Sequence, residues 1–199
     1  MAKDSKDTRQ RLIAAADKLF YSEGIRAVGV DAVALAASVT KRTLYYHFPS
    51  KEDLIAAYLD ERDQKTLGSY QSVVSDPDAS AARQIRGIFE RLEQNAQNPD
   101  WRGCSFVRAA GEFAALPGHP ARVIASRHKK RFEDWLVQLL LAEGVADAGS
   151  LARQIMVLFD GAVTQILIHR DPGYAGSAAQ AALLLLKSHG IEDVAPRSA

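Results

Sequence analysis

The sequence predicts an all-α protein of about nine helices arranged in two domains. Three observations lead there. Apolar residues recur at i, i+3/i+4 and i+7/i+8 through most of the chain. Alternating β-branched runs and Asn-Gly hairpin turns are missing. Proline, glycine and aspartate clusters fall between the periodic segments, where helices must stop.

The segments follow in order. Thr8 to Glu23 carries Leu12, Ala15, Ala16, Leu19 and Phe20 on one face, and Gly24 supplies a C-terminal stop. Asp31 to Ala37 is a short helix with Val33, Ala34 and Ala37 inward. Thr40 can cap a third helix over Lys41 to His47, its hydroxyl meeting the orphan amides of the first turn. After Pro49, Ser50 can cap a fourth helix running to about Ser72, with Glu52 and Asp53 at the positive end of its dipole and Leu54, Ile55, Tyr58 and Leu59 inward. Asp76-Pro77-Asp78 reads as a break between a small N-terminal domain and a larger C-terminal one. Beyond it lie helical patterns over Ala79–Gln97, Ser105–Ala115, Pro120–Glu143, Ser150–His169 and Gly176–His189. The closing residues, EDVAPRSA, read as a frayed tail.

Composition narrows the class. The 199 residues are 47% hydrophobic and 25% charged. That is enough for one or two compact domains with a true core. With 7 prolines and 13 glycines the chain is neither fibrous nor disordered. One cysteine excludes an internal disulfide framework and argues against a thiolate metal site, so no metal is expected and a reducing cytoplasm fits. The N-terminus is polar and no stretch approaches 18 apolar residues without a charge, so neither a signal peptide nor a membrane partner is expected. Net charge is only +1, but residues 1–51 hold nine Lys/Arg against five Asp/Glu, while the remainder holds sixteen against nineteen. A basic N-terminal segment thus sits on a mildly acidic body.

The segment SVTKRTLYYHFPSKEDL, residues 38 to 54, concentrates long polar donors on one short helix. Two short helices joined by ASVT, behind a supporting first helix, make a three-helix helix-turn-helix unit. Its second short helix is sized for the major groove of double-stranded DNA and offers its N-terminal residues to base edges. Lys41 and Arg42 can donate to guanine, and Thr43 offers a hydroxyl and a methyl. Tyr45 and Tyr46 point in adjacent directions, one to the groove and one to a phosphate. His47 and Lys51 are placed as backbone clamps. Val39, Leu44 and Phe48 face the other way and pin the helix to its supports.

The stretch TRQRLIAAADKLFYSEGIRAVGVDAVALAASVTKRTLYYHFPSKEDLIAAYL resembles the DNA-binding domain of the TetR (tetracycline-repressor) family of bacterial transcriptional regulators, over about residues 6–66. The resemblance rests on the R-x-x-I/L-x-x-A-x-x-L-F entry, the V/I-A pair and L-Y-Y-H-F-x-S-K-E-x-L. It implies a helix-turn-helix DNA-binding domain at residues 6–66, with its core at 29–48, and a ligand-binding and dimerisation domain at 67–199. It further implies a homodimer joined through its last two long helices, a small-molecule ligand, no enzymatic activity and no cofactor. The family's base-reading segment falls on Lys41, Arg42, Thr43 and Tyr45. Its phosphate contacts fall on Thr40, Tyr46, His47 and Lys51, with Gly29–Asp31 close to the DNA backbone. Four departures stand out, one of them Gly29, where threonine, with its hydroxyl for a phosphate, is common. Ser38 replaces the usual turn glycine, at a cost of about 1 kcal/mol if the backbone is left-handed there. Arg42 stands where glycine is frequent, and Asp31 where a basic or neutral residue is.

Other candidates are weaker. Phe89, Trp101, Phe106, Arg108, Phe113, Phe132, Trp135, Phe159 and Gln165 can line a ligand cavity, though at helical spacing many such residues are core. Ser150–His169 is apolar on more than one side and Leu183–Leu186 all round. Leu151, Ile155, Phe159, Ile166, Leu183, Leu184 and Leu186 therefore form either a subunit interface or the chain's own core, and the interface is the reading adopted. Cys104 is a packing residue or a redox thiol beside Arg102 and Arg108. His119, His128 and His169 lack metal-ligand spacing. Two S-x-x-K matches have no companion motifs and no nucleophile–base pair is legible, so no catalytic residue is assigned. A DNA-binding module answering to a protein partner and a helical enzyme remain as alternatives to a ligand-responsive regulator.

Overall fold

Nine α-helices make up the regular structure of the described residues, 2–72 and 79–192 of a computed structural model. They are α1 (Ala2–Glu23), α2 (Val30–Ala36), α3 (Lys41–His47), α4 (Lys51–Gln71), α5 (Ala81–Ala96), α6 (Ser105–Glu112), α7 (Pro120–Ala142), α8 (Ala148–His169) and α9 (Gly173–Ser188). No strand occurs among the described residues. The Asp76-Pro77-Asp78 break and the tail beyond Glu192 lie outside them. At the start of α8 a cap explains the difference from the sequence reading. The Asp147 carboxylate accepts from Ser150 N at 3.3 Å, so α8 starts two residues before Ser150. α9 starts at Gly173, directly after Pro172 with its φ of −61°.

The chain divides into two compact units, residues 1–65 with 104–128 and residues 66–103 with 129–199. The first therefore takes α6 and the start of α7 in addition to the N-terminal helices. Its core joins Leu12, Ile13, Ala16 and Phe20 of α1 to Val33, Leu44 and Phe48, then to Leu54, Ile55, Tyr58 and Leu59 of α4. Phe106, Ala109, Ile124 and Ala125 complete it. Phe20 meets Tyr58 edge to face, centroids 5.5 Å apart, the arrangement ring quadrupoles favour. Inside the same unit, buried His128 Nδ1 lies 2.7 Å from the buried Asp63 carboxylate, and its ring stacks on Phe106 at 3.6 Å.

In the second unit α9 packs on α8 and α5. Its buried residues are mostly alanines (Ala175, Ala179, Ala182) with Leu186 at the end, small enough for close helix approach. Tyr70, Phe89, Phe132 and Phe159 pack as one ring cluster with centroids 5.4–5.7 Å apart. Five of the seven side chains assigned to an interface are consumed here. Leu151, Ile155, Phe159, Ile166 and Leu186 are buried within the single chain and belong to its own core. Leu183 is half-buried, and Leu184 stays at the surface, as do Val157 and Ile168 of α8. The sequence could not separate these stripes because α8 is apolar on both. α8 is long and apolar enough to cross a membrane by length and composition, but 44% of that stretch is buried inside the chain, as in a core helix.

The turn between α2 and α3 meets the conformational demand foreseen at Ser38. Val39 N donates to Ala34 O at 2.9 Å and Ser38 N to Leu35 O at 3.0 Å. This is a Schellman C-cap, with Ser38 in the left-handed position at φ 54°. Ser38 is exposed, so its side chain contributes no packing in return. Ser38→Gly is expected to raise stability by about 0.5–1 kcal/mol, the relief of left-handed strain exceeding the extra chain entropy of glycine. Thermal unfolding checks this, and a lower Tm would contradict it.

Candidate nucleic-acid interface

Helix α3 has seven residues, too few to persist alone, so the fold must position it. Leu44 is fully buried and Phe48 nearly so, which fixes the inward face. The Thr40 hydroxyl accepts from Thr43 N at 3.1 Å and caps the first turn, as its position predicts. The Thr40 and Thr43 hydroxyls also lie 2.9 Å apart, which brings a proposed phosphate contact and a proposed base contact into one hydrogen bond. Helix α4 opens with a reciprocal cap: Asp53 N donates to Ser50 Oγ at 3.0 Å, and Ser50 N donates to Asp53 Oδ2 at 3.0 Å.

The outward face carries the polar set. Lys41 and Arg42 are exposed, Tyr45 is 42% and Tyr46 79% exposed, and the Tyr46 ring meets His47 edge to face at 5.1 Å. Lys41 Nζ donates to Asp31 Oδ2 at 3.0 Å, and that hydrogen bond holds the ammonium pKa above its usual value. Lys51 stands 5.9 Å over the Phe20 ring, and partial burial pushes its pKa down. Seven of the eight DNA-facing candidates fall on α3 or its N-cap Thr40, and Lys51 opens α4, with the apolar supports of α3 on the opposite side. A short helix with exposed donors, seated on a rigid core, is the geometry for insertion in a major groove.

The comparisons with known proteins agree with this geometry. Residues 12–58 match the profile described as bacterial regulatory proteins, tetR family. The solved structure of SCO4454, a TetR-family transcriptional regulator from Streptomyces coelicolor, is 32% identical, with a TM-score of 0.83 over 92% of this chain and 96% of that one. The chain belongs to the TetR family. The sav143 regulator of Streptomyces avermitilis is also 32% identical, with a TM-score of 0.82 over 93% of this chain and 99% of that one. The curated regulator YjdC of Escherichia coli K12 is 24% identical over 82% of this chain and 85% of its own length. The protein is thus a helix-turn-helix DNA-binding transcriptional regulator, of a family that is not enzymatic.

Within this TetR-family fold, the nine cavity candidates divide between the two units. Phe89, Phe132, Trp135 and Phe159 gather in the second unit with Tyr70, which the sequence reading missed. Trp101 also lies there, half-buried, its carbonyl accepting from Arg170 Nη1 at 3.0 Å, while Gln165 is exposed. Phe106, Arg108 and Phe113 belong to the first unit, where Phe106 stacks on His128 and Phe113 on His119. A surface groove of about 380 Å³ between α5 and α9 is lined by Phe89, Glu90, Glu93, Ala179 and Leu183 among others.

Two residues of α6 that the sequence placed elsewhere or nowhere hold the end of α1. Arg108 Nη1 donates to Tyr21 O at 2.7 Å. Glu112 accepts from Ile25 N at 3.1 Å and Arg26 N at 2.7 Å, and its carbonyl accepts from Arg26 Nη1 at 3.2 Å. No local signal marks a partner 87 residues away. Removing a charged acceptor of two amides, as in Glu112→Ala, is expected to cost about 1.5–3 kcal/mol and to speed hydrogen exchange at the Ile25 and Arg26 amides. Unchanged exchange there would contradict the clamp.

Proposed function

We propose that the protein is a ligand-responsive repressor that binds a pseudo-palindromic operator as a homodimer in the cytoplasm. Two α3 helices would enter successive major grooves about 34–36 Å apart. The observation that carries this reading is the exposure of Arg42 and Tyr45 on a helix whose other side is locked by Leu44 and Phe48. Lys41, Arg42, Thr43 and Tyr45 read bases, and Thr40, Tyr46, His47 and Lys51 hold phosphates. A small molecule in the second unit releases the operator by binding better to a conformation with the reading heads misplaced. Helix α4 contributes residues to both units and is the route for that change.

Fluorescence anisotropy on labelled duplexes from upstream of the protein's own gene, across a salt series, tests the operator reading. One sub-fragment should bind tightly, and Arg42→Ala should weaken it by about 1–3 kcal/mol, the worth of a bidentate base contact. Weak binding, equal on all fragments and lost at moderate salt, would leave only phosphate attraction.

The dimer is assigned to the surface that α8 and α9 leave apolar, Val157, Ile168 and Leu184. Leu184→Glu places charge on that surface without touching the core and is expected to convert dimer to folded monomer in analytical ultracentrifugation. A dimer of unchanged affinity would place the interface elsewhere.

A further inference from the structure

The N-terminal turns of α2 and α3 place an acid against a base on the surface that would face DNA. Asp31, in the first turn of α2, has its Oδ2 3.0 Å from Nζ of Lys41, the first residue of α3. Both side chains are largely exposed, 72% and 54%, so the pair is reachable by a ligand. Each residue answers a local electrostatic need. The carboxylate suits the positive end of the α2 dipole, while the ammonium sits at the positive end of α3, where a cation is disfavoured unless a counter-charge offsets it. Neighbouring Arg42 has no hydrogen bond or ion pair among the described residues and remains an unneutralised donor.

The chemistry of the two DNA surfaces separates what such a pair can do. Phosphate offers only acceptors and negative charge: it satisfies Lys41 but repels Asp31 at every position along any duplex. The major-groove edge of a base pair presents a donor and an acceptor side by side, as cytosine N4 beside guanine O6. The ammonium has two N–H groups left after bonding Asp31, and the carboxylate has free lone pairs, so the pair can meet both groups at once.

We propose that Asp31 is a specificity-determining residue, holding the Lys41 ammonium in a neutral donor–acceptor pair that suits a base-pair edge and penalises attachment to bare phosphate. The proposal rests on the operator-reading function above. It makes Asp31 a deterrent to non-cognate DNA as well as a helix-terminus residue. The Lys41 ammonium is charged through the neutral range at the ordinary lysine pKa, so the pair is an ion pair there.

The test uses the full chain and needs no known operator. Binding sites are first selected from a random-sequence duplex library. Anisotropy on the selected duplex and on a scrambled one, between about 50 and 200 mM salt, then gives a specificity ratio and a salt slope, about 0.9 per phosphate neutralised. Asp31→Asn should tighten scrambled-duplex binding about 3–10-fold, steepen its salt slope by about 1, and lower the specificity ratio about 10-fold. Asp31→Glu, which keeps the charge, should retain most of the ratio. In a Lys41→Met background, Asp31→Asn should move the ratio far less, because the pair is already broken. An Asp31→Asn variant that melts earlier yet keeps the parental ratio and slope overturns the proposal and leaves Asp31 a helix-dipole residue. If the parent enriches no sequence, the operator reading fails, and this inference fails with it.

Discussion

A seven-residue helix cannot orient itself, and the reading surface depends on that constraint being met from outside. Helix nucleation is unfavourable and isolated helices below about 12–15 residues are marginal in water. α2 and α3 each have seven. Their geometry therefore comes from anchors. Leu44 and Phe48 fix the depth and roll of α3, Val33 and Ala34 do the same for α2, and the Schellman turn through Ser38 sets the angle between them. The Thr40 cap then decides where α3 begins. Each apolar anchor lies on the side away from the polar donors, so the same residues that stabilise the unit also aim Arg42 and Tyr45.

The clamp from α6 extends this logic along the chain. Residues 104–128 belong by packing with the N-terminal helices, although more than thirty residues separate them from α4. Phe106 and Ala109 supply apolar contact, and Glu112 with Arg108 supplies directional hydrogen bonds to the end of α1. The carboxylate satisfies two amides just past Gly24, which at φ 98° takes the left-handed conformation that ends α1. A turn held this way has its first amides saturated, leaving it little freedom to swing relative to α6. Any movement of α6 is accordingly a movement of the residues that lead into α2.

Local chemistry was legible in the sequence, and long-range chemistry was not. Caps and periodic faces could be read directly because each depends on residues close in sequence, and the strain at Ser38 was legible through the family resemblance, which places a glycine at that turn. The inward assignments of Leu12, Phe20, Leu54 and Tyr58 follow from the same short-range periodicity, and all four are buried. The Glu112 clamp, the Asp63–His128 pair and the Asp31–Lys41 bridge link residues between ten and 87 positions apart, and sequence spacing carries no trace of them. The cavity set divides between the two units for a related reason. Phe106 and Phe132 look alike as aromatic positions on amphipathic helices, and only packing assigns one to each unit. The interface set shows the limit of periodicity itself: α8 has two apolar stripes, and nothing in their composition says which one the chain covers with α9.

Charge on the proposed reading face is held down. Lys41 is offset by Asp31, Lys51 is partly desolvated over Phe20, and Glu52 and Asp53 open the helix that Lys51 begins. Non-specific attraction to DNA grows with the number of unneutralised cations presented to phosphate, whereas discrimination grows with donors and acceptors that only a particular base edge completes. Committing a lysine to an aspartate lowers the first quantity and can raise the second. A regulator that must find one site among a chromosome of competitors gains from this exchange, because its occupancy depends on the ratio of the two affinities and not on either alone. The modest net charge of +1 is then no argument against DNA binding, since what matters is where the unpaired donors are aimed.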